Sequence, residues 1–172
     1  MLFRSVMIKI TDPGDETNIS CYTINFKEVP KPVDLNEYVT YKVTHVEASH
    51  EPQLANLAVN AIDGDISTRW AAEGRTGVWI KLDLGKICEF DTLLIATRSG
   101  HKRQFIGNIE VSEDGKTWTK VFDGRTSGHT ENLEPLRFEK TKARYVRLNC
   151  FGTSDTTTNW QSISELMPAL KN

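Results

Sequence analysis

The sequence predicts an all-β sandwich or jelly roll, on three observations. Apolar residues alternate with polar ones in short runs. Gly, Asp, Asn and Ser separate those runs at roughly even spacing. Helical periodicity is almost absent. In VWIKLDLG, Val78, Ile80, Leu82 and Leu84 share one face, while Trp79, Lys81 and Asp83 share the other. DTLLIAT offers Leu93 and Ile95 inward, and GNIEVSEDGKTWTKVF reads as strand, Asp114-Gly115 turn, strand, with Ile109 and Val111 facing the core. RYVRLNCF places Val146 and Leu148 together, and SISELM (162–167) supplies the last strand. Only QLANLAVNA groups Leu54, Leu57 and Ala58 as a helix would.

Near residues 29–36, VPKPVDLN has two prolines and no periodic pattern, which marks a linker. Before it lie two strand-like runs, VMIKI and CYTINFK, joined by TDPGDETN. The expected organisation is a hairpin over 1–35 and a main domain over 36–172. A lone hairpin is marginally stable in water, so this one either packs on the main domain or ends a preceding module. Its Tyr-Thr-Ile-x-Phe run is similar to the last strands of immunoglobulin-like or cadherin-like modules.

The formal net charge is -2, from 21 basic and 23 acidic residues, so no global field attracts nucleic acid or an anionic membrane. No apolar run is long enough to span a bilayer. The N-terminus lacks a secretory leader, which fits either a cytosolic protein or, as we expect, an internal piece of a longer secreted chain. Cys21, Cys88 and Cys150 are odd in number and lack metal-site spacing, and core thiols are the expected reading. No GxSxG, HExxH or phosphate-loop motif occurs, and the four histidines, at 45, 50, 101 and 129, lack ligand spacing. No catalytic constellation can be assembled, so the expectation is a chain that is not an enzyme.

Asp63-Gly64-Asp65 with Thr68 forms a tight acidic loop that can aim carboxylate, hydroxyl and carbonyl oxygens at one point, as calcium requires. By itself such a loop is also an ordinary solvated surface turn. TRSGHKRQ (97–104) concentrates Arg98, His101, Lys102 and Arg103 in a slightly acidic chain. TSDTTTNW (153–160) ends in Asn159 and Trp160, AAEGRTG (71–77) offers Arg75 beside Trp70, and His50 and Glu51 sit in a fourth loop. Planar polar groups with an aromatic face are what sugar hydroxyls and C–H surfaces need, and Arg pairs bidentately with carboxylate. The ligand set expected from this is Arg98, His101, Arg103, Asn159, Trp160, Arg75 and His50. Trp70 reads as core, whereas Trp160 fits a core anchor as well as a stacking face.

Three stretches carry a resemblance: NAIDGDISTRW (60–70), GVWIKLDLG (77–85) and the ending NIEVSEDGKTWTKV…ARYVRLNCFG…NWQSISEL. On them, residues 36–170 resemble the discoidin (coagulation factor 5/8 type C) superfamily, and more closely the family-32 carbohydrate-binding modules attached to alginate lyases and related polysaccharide lyases. The resemblance implies a discoidin-like antiparallel β-sandwich, a structural Ca²⁺ and a polysaccharide partner. It implies a secreted or cell-surface setting, as a monomeric module of a larger enzyme. It assigns the metal to the Asn60 carbonyl, Asp63, Asp65, Thr68, the Ser164 carbonyl and Glu165. Galactose-binding members carry His after the Trp matched by Trp70, where this chain has Ala71, while Arg98 matches their sugar-contacting Arg. That combination points to an acidic glycan: a uronate such as alginate, or a sulfated algal polysaccharide. The alternatives are a neutral galactose-type glycan or a discoidin-type adhesion domain for protein or phospholipid. The polar loops, and the lack of a cysteine pair at the ends of 36–170, argue against adhesion.

Overall fold

The computed structural model describes residues 4–12, 15–26, 31–50 and 54–172, with the backbone alone for residues up to 26. The chain divides into two compact units, Met1–Pro30 and Lys31–Asn172. In the first, β1 (Arg4–Asp12) pairs antiparallel with β2 (Asp15–Phe26), setting Val6 opposite Ile24 and Ile8 opposite Tyr22. VMIKI falls within β1, and the described part of CYTINFK, up to Phe26, within β2. The tip at 13–14, residues 27–30 with the first two of the linker, Glu51 and the side chain of Cys21 lie outside the described residues.

The second unit holds eight strands: β3 (Tyr38–Thr40), β4 (His45–Ala48), β5 (Trp70–Glu73), β6 (Val78–Thr97), β7 (Phe105–Ser112), β8 (Thr119–Arg125), β9 (Glu134–Thr153) and β10 (Trp160–Lys171). Their order is β3-β10-β6-β9-β7-β8, with β4 also on β6 and β5 also on β10. Every pairing is antiparallel. The fold is the expected discoidin-like antiparallel β-sandwich.

Two strands of 20 residues, β6 and β9, make the sandwich. The β6–β9 register breaks between Asp83 and Cys88 and again between Phe90 and Thr92. Gly85, at φ +75°, occupies the first break, in a conformation that strains residues with a Cβ. Before it, β6 pairs with β4 and the late half of β9; after it, with β10 and the early half of β9. One sheet thereby folds over into two layers. The sequence reading had two separate strands, 78–85 and 91–97, because the glycine looks like a terminator. The apolar alternation in fact runs on through Cys88 and Phe90.

The core is made by the inward positions of both layers: Ile80, Leu82, Leu93, Ile95, Ile109, Val146, Leu148, Ile163 and Leu166, around Trp70 and Phe90. Burying each large apolar side chain contributes about 1.5–3 kcal/mol. Cys88 and Cys150 are free and buried among them, as expected of core thiols. Leu94 is buried too, although it points away from Leu93. A satellite cluster of Tyr38 and Ala169, flanked by Val33, Leu133 and Met167, covers it. The helical reading of QLANLAVNA shrinks to one 3-10 turn, Ala58–Ala61, and Leu54 is 94% exposed rather than grouped with Leu57 and Ala58. Three apolar residues in so short a run do not bury a helix face.

Candidate functional site at the loop end of the sandwich

The acidic loop is built around one hydroxyl. Thr68 Oγ1 lies 2.7 Å from Asp63 Oδ2, 3.0 Å from the Asp65 carbonyl and 3.3 Å from the Asn60 carbonyl. One hydroxyl hydrogen cannot serve three acceptors, so the cluster is rich in oxygen lone pairs and poor in protons. Local bonds aim these oxygens. The Asn60 amide donates to the Ala55 and Arg69 carbonyls, Asp63 Oδ1 accepts the Asp65 N–H, and the Asp65 carboxylate turns to the Ser67 N–H. Asp65 thus offers its carbonyl to the cluster and spends its side chain on the turn. Hydrogen bonding from Ser67, by its side chain first and then by its backbone N–H, lowers the Asp65 pKa.

Glu165 enters from β10, only 4% exposed, and its Oε2 accepts the Gly64 N–H at 2.9 Å. Burial pushes its pKa up to about 7, opposed by the Gly64 bond and reinforced by the charges of Asp63 and Asp65. A buried carboxylate beside a second one is costly unless a cation joins them. Ser164 sits at the register break between Ile163 and Glu165, out of the ladder with β6. Among the described residues no three His, Cys, Asp or Glu side chains form a metal cluster. A cation here would therefore draw on carbonyls and the Thr68 hydroxyl as much as on carboxylates, which suits a hard oxygen-seeking ion.

Directly against this loop runs a groove of about 360 Å³, lined by Ile66, Arg98, His101, His129, Thr130, Glu131, Asn132 and Ser164. The turn after β6 presents its basic wall. Arg98 N–H donates to the Ser162 carbonyl, and the Ser99 carbonyl accepts the N–H groups of Lys102 and Arg103. Arg98 is exposed, and its guanidinium has no hydrogen bond or ion pair among the described residues. His101 Nδ1 lies 3.5 Å from Glu131 Oε1.

The other expected ligand residues sit differently. Arg75 donates to Asn159 Oδ1, to the Asp155 carbonyl and to the Thr158 carbonyl, at 2.8–3.1 Å. Its guanidinium therefore ties down the 153–160 loop and engages Asn159. Arg103 is half-buried with Thr97, Arg98, Phe105, Thr153 and Ser162, and its Nε has no hydrogen-bond partner among the described residues. Trp160 is half-buried on β10 opposite Glu73. His50 is exposed, bonds Ser49 through its ring, and accepts the Trp70 indole N–H on its carbonyl at 3.0 Å. Trp70 is fully buried, as the sequence reading has it. Arg98 and His101 thus line the groove, while Arg75, Arg103, Asn159, Trp160 and His50 lie off it. His129, Glu131 and Asn132 line it without having been singled out. They come from a 126–134 segment whose only sequence signal is a His and two Glu among turn formers.

A family model described as "F5/8 type C domain" matches residues 42–166. Among curated proteins, "Polysaccharide lyase 8 family protein HylA" of Enterococcus faecalis (strain ATCC 700802 / V583) is 27% identical over 88 residues, 51% of this chain and 6% of that protein. The chain therefore spans a small fraction of the curated relative it matches. Among solved structures, "CBM32 of AlyQ in complex with 4,5-unsaturated mannuronic acid" is 36% identical with a TM-score of 0.70, covering 76% of this chain and 97% of that one. A "pectin binding carbohydrate binding module" is 34% identical with a TM-score of 0.69, covering 75% and 91%.

Proposed function

The chain belongs to the F5/8 type C domain family, and from that premise we propose that it is a non-catalytic carbohydrate-binding module for acidic polysaccharide. The observation that carries the reading is Arg98, an exposed guanidinium with no partner among the described residues, on the wall of a groove that also offers imidazole, amide and hydroxyl groups. A uronate carboxylate supplies the missing partner for Arg98, and ring hydroxyls suit the rest. Support comes also from two solved relatives above 30% identity, whose descriptions name an unsaturated mannuronic acid and pectin.

In the same reading the Asn60–Thr68 loop, Ser164 and Glu165 hold a structural Ca²⁺. The ion would supply charge neutralisation and coordination that link the loop to the last strand. The chain itself is expected to turn over no polysaccharide, and to serve as a targeting module of a longer secreted enzyme. The hairpin of residues 1–30 would then be the end of a preceding module. The curated relative, a polysaccharide lyase family protein of which this chain matches 6%, supports that placement. Affinity electrophoresis against alginate, polygalacturonate, carrageenan and neutral galactan tests the ligand. Retardation by one or more acidic polymers is expected. Retardation by neutral galactan alone would overturn the acidic reading while leaving a sugar-binding module.

A further inference from the structure

The groove contains one feature that simple anion binding does not require, which is a carboxylate of its own. Glu131 Oε1 accepts the Ser99 N–H at 2.5 Å and lies 3.5 Å from His101 Nδ1, so one oxygen meets two residues of the turn that follows Arg98. Ser99 needs that tie. At φ +59° it is the one non-glycine residue with a positive φ among those described, in a region that L-residues with a Cβ enter at a cost. Its neighbour Gly100 packs so closely on the 126–134 segment that a Cβ there would come within 2.3 Å of the Thr130 carbonyl oxygen. The turn that presents Arg98 is therefore pressed onto the segment that carries Glu131. The His101–Glu131 pair has side chains 46% and 41% exposed. Solvent and salt screen so exposed a pair, so the backbone bond, rather than the ion pair, holds the turn.

Glu131 also gives the groove two ends of opposite sign. Arg98 asks for an anion. Glu131, whose partners among the described residues are the Ser99 N–H and His101 Nδ1, has acceptor capacity left for a hydroxyl donor and repels a second anion. We propose that Glu131 is the positioning and selectivity residue of this groove: it fixes the turn that aims Arg98, and it admits a uronate with free hydroxyls while rejecting a sulfated sugar. The inference rests on the acidic-glycan reading of the groove and narrows it.

Two substitutions separate the two roles. Glu131→Gln keeps an oxygen for the Ser99 N–H and removes the charge. Glu131→Ala removes both. Binding of wild type and variants is compared on polygalacturonate and carrageenan, and exchange of the Ser99 amide is followed by NMR without ligand. Wild type is expected to favour polygalacturonate. Glu131→Gln should keep slow Ser99 exchange and shift the carrageenan-to-polygalacturonate affinity ratio at least about threefold toward carrageenan, less at high salt. Glu131→Ala should speed Ser99 exchange at least about tenfold and weaken binding to both polymers. An unchanged ratio in Glu131→Gln overturns the selectivity role, and unchanged Ser99 exchange in Glu131→Ala overturns the positioning role. Wild type that binds none of the acidic polymers, alginate included, overturns the acidic reading and, with it, the selectivity role. The exchange result, which uses no ligand, still decides the positioning role.

Discussion

On the outer face of β6, β9 and β7, charges close on one another. Arg147 donates twice to Glu110 Oε2, at 2.7 and 3.0 Å, and stacks 4.1 Å from the Trp118 ring, while Asn149 donates to the same oxygen at 2.8 Å. Arg144 pairs bidentately with Asp83 at 2.8 and 2.9 Å, and Lys81 with Glu47. At the loop end the same residue types are left open. Arg98 has no partner among the described residues, and the Asn60–Thr68 oxygens and Glu165 face each other without a positive group. A paired charge has used its bonding capacity inside the fold. An unpaired one, held in a fixed position, is available to something outside it. The contrast separates scaffold from recognition surface more sharply than residue type does, since both regions are rich in Arg, Asn and carboxylates.

The largest effect expected is on the scaffold beneath the loops. Trp70 is fully buried and its indole N–H is bonded to the His50 carbonyl. Trp70→Ala should destabilise by about 3–5 kcal/mol, through the cavity and the lost bond, read as a fall in denaturation midpoint. A loss below about 1 kcal/mol would mean that the ring is peripheral, and that a Trp beside the groove is free to stack on sugar.

Next comes the open oxygen cluster. A cation that binds only the folded domain stabilises it by about 2.7 kcal/mol at a hundredfold excess over Kd. EDTA should lower the melting temperature of a calcium-loaded sample, and Asp63→Ala should abolish that response. Melting that ignores both chelator and added Ca²⁺ would make the cluster a turn of the fold, no different in kind from the paired face. Third is Arg98 itself. Removing the group that pairs a buried ligand carboxylate costs about 1–3 kcal/mol. Arg98→Ala should therefore weaken uronate binding on the order of tenfold in calorimetry while leaving melting within a degree or two. Arg75→Ala should do the reverse, since its guanidinium already serves three acceptors in the 153–160 loop.

How far the sequence could be read follows the same division. Features set by local pattern were legible: the alternation over 78–84, the Asp114-Gly115 turn, the Asn60–Thr68 loop, and Arg98 with His101. The resemblance supplied Ser164 and Glu165, about a hundred residues away, which spacing could not. What stayed hidden depends on which distant loops meet. Arg75 and Asn159 each look like a sugar-binding group until the fold bonds them to each other. Glu131 is one acid among many until its oxygen is found under the Ser99 amide. Likewise Gly85 reads as an end of a strand, because nothing local says that β6 continues past its bend.

The smallest effect concerns the paired face and tests whether pairing there is only structural. The bidentate Arg144 bond is the main cause that lowers the Asp83 pKa. A carboxylate with a depressed folded pKa adds stability above its unfolded value, near 3.9, and loses it as the pH falls through the folded value. Arg144 is 40% exposed on its side chain, so solvent screening keeps the pair to about 1 kcal/mol or less. Asp83→Asn should therefore cost about that much at pH 7, and the gap to wild type should begin to narrow below the unfolded value, near 3.9, and close as the pH falls through the lower folded value, where native Asp83 takes up its proton. Urea denaturation at pH 7 and at successively lower pH reads both ends of that window. Polysaccharide affinity should be unchanged in Asp83→Asn at pH 7, because this charge is already satisfied within the sheet. A drop in affinity comparable to that of Arg98→Ala would show that a charge closed inside the fold still reaches the ligand, and the distinction between the two regions would fail.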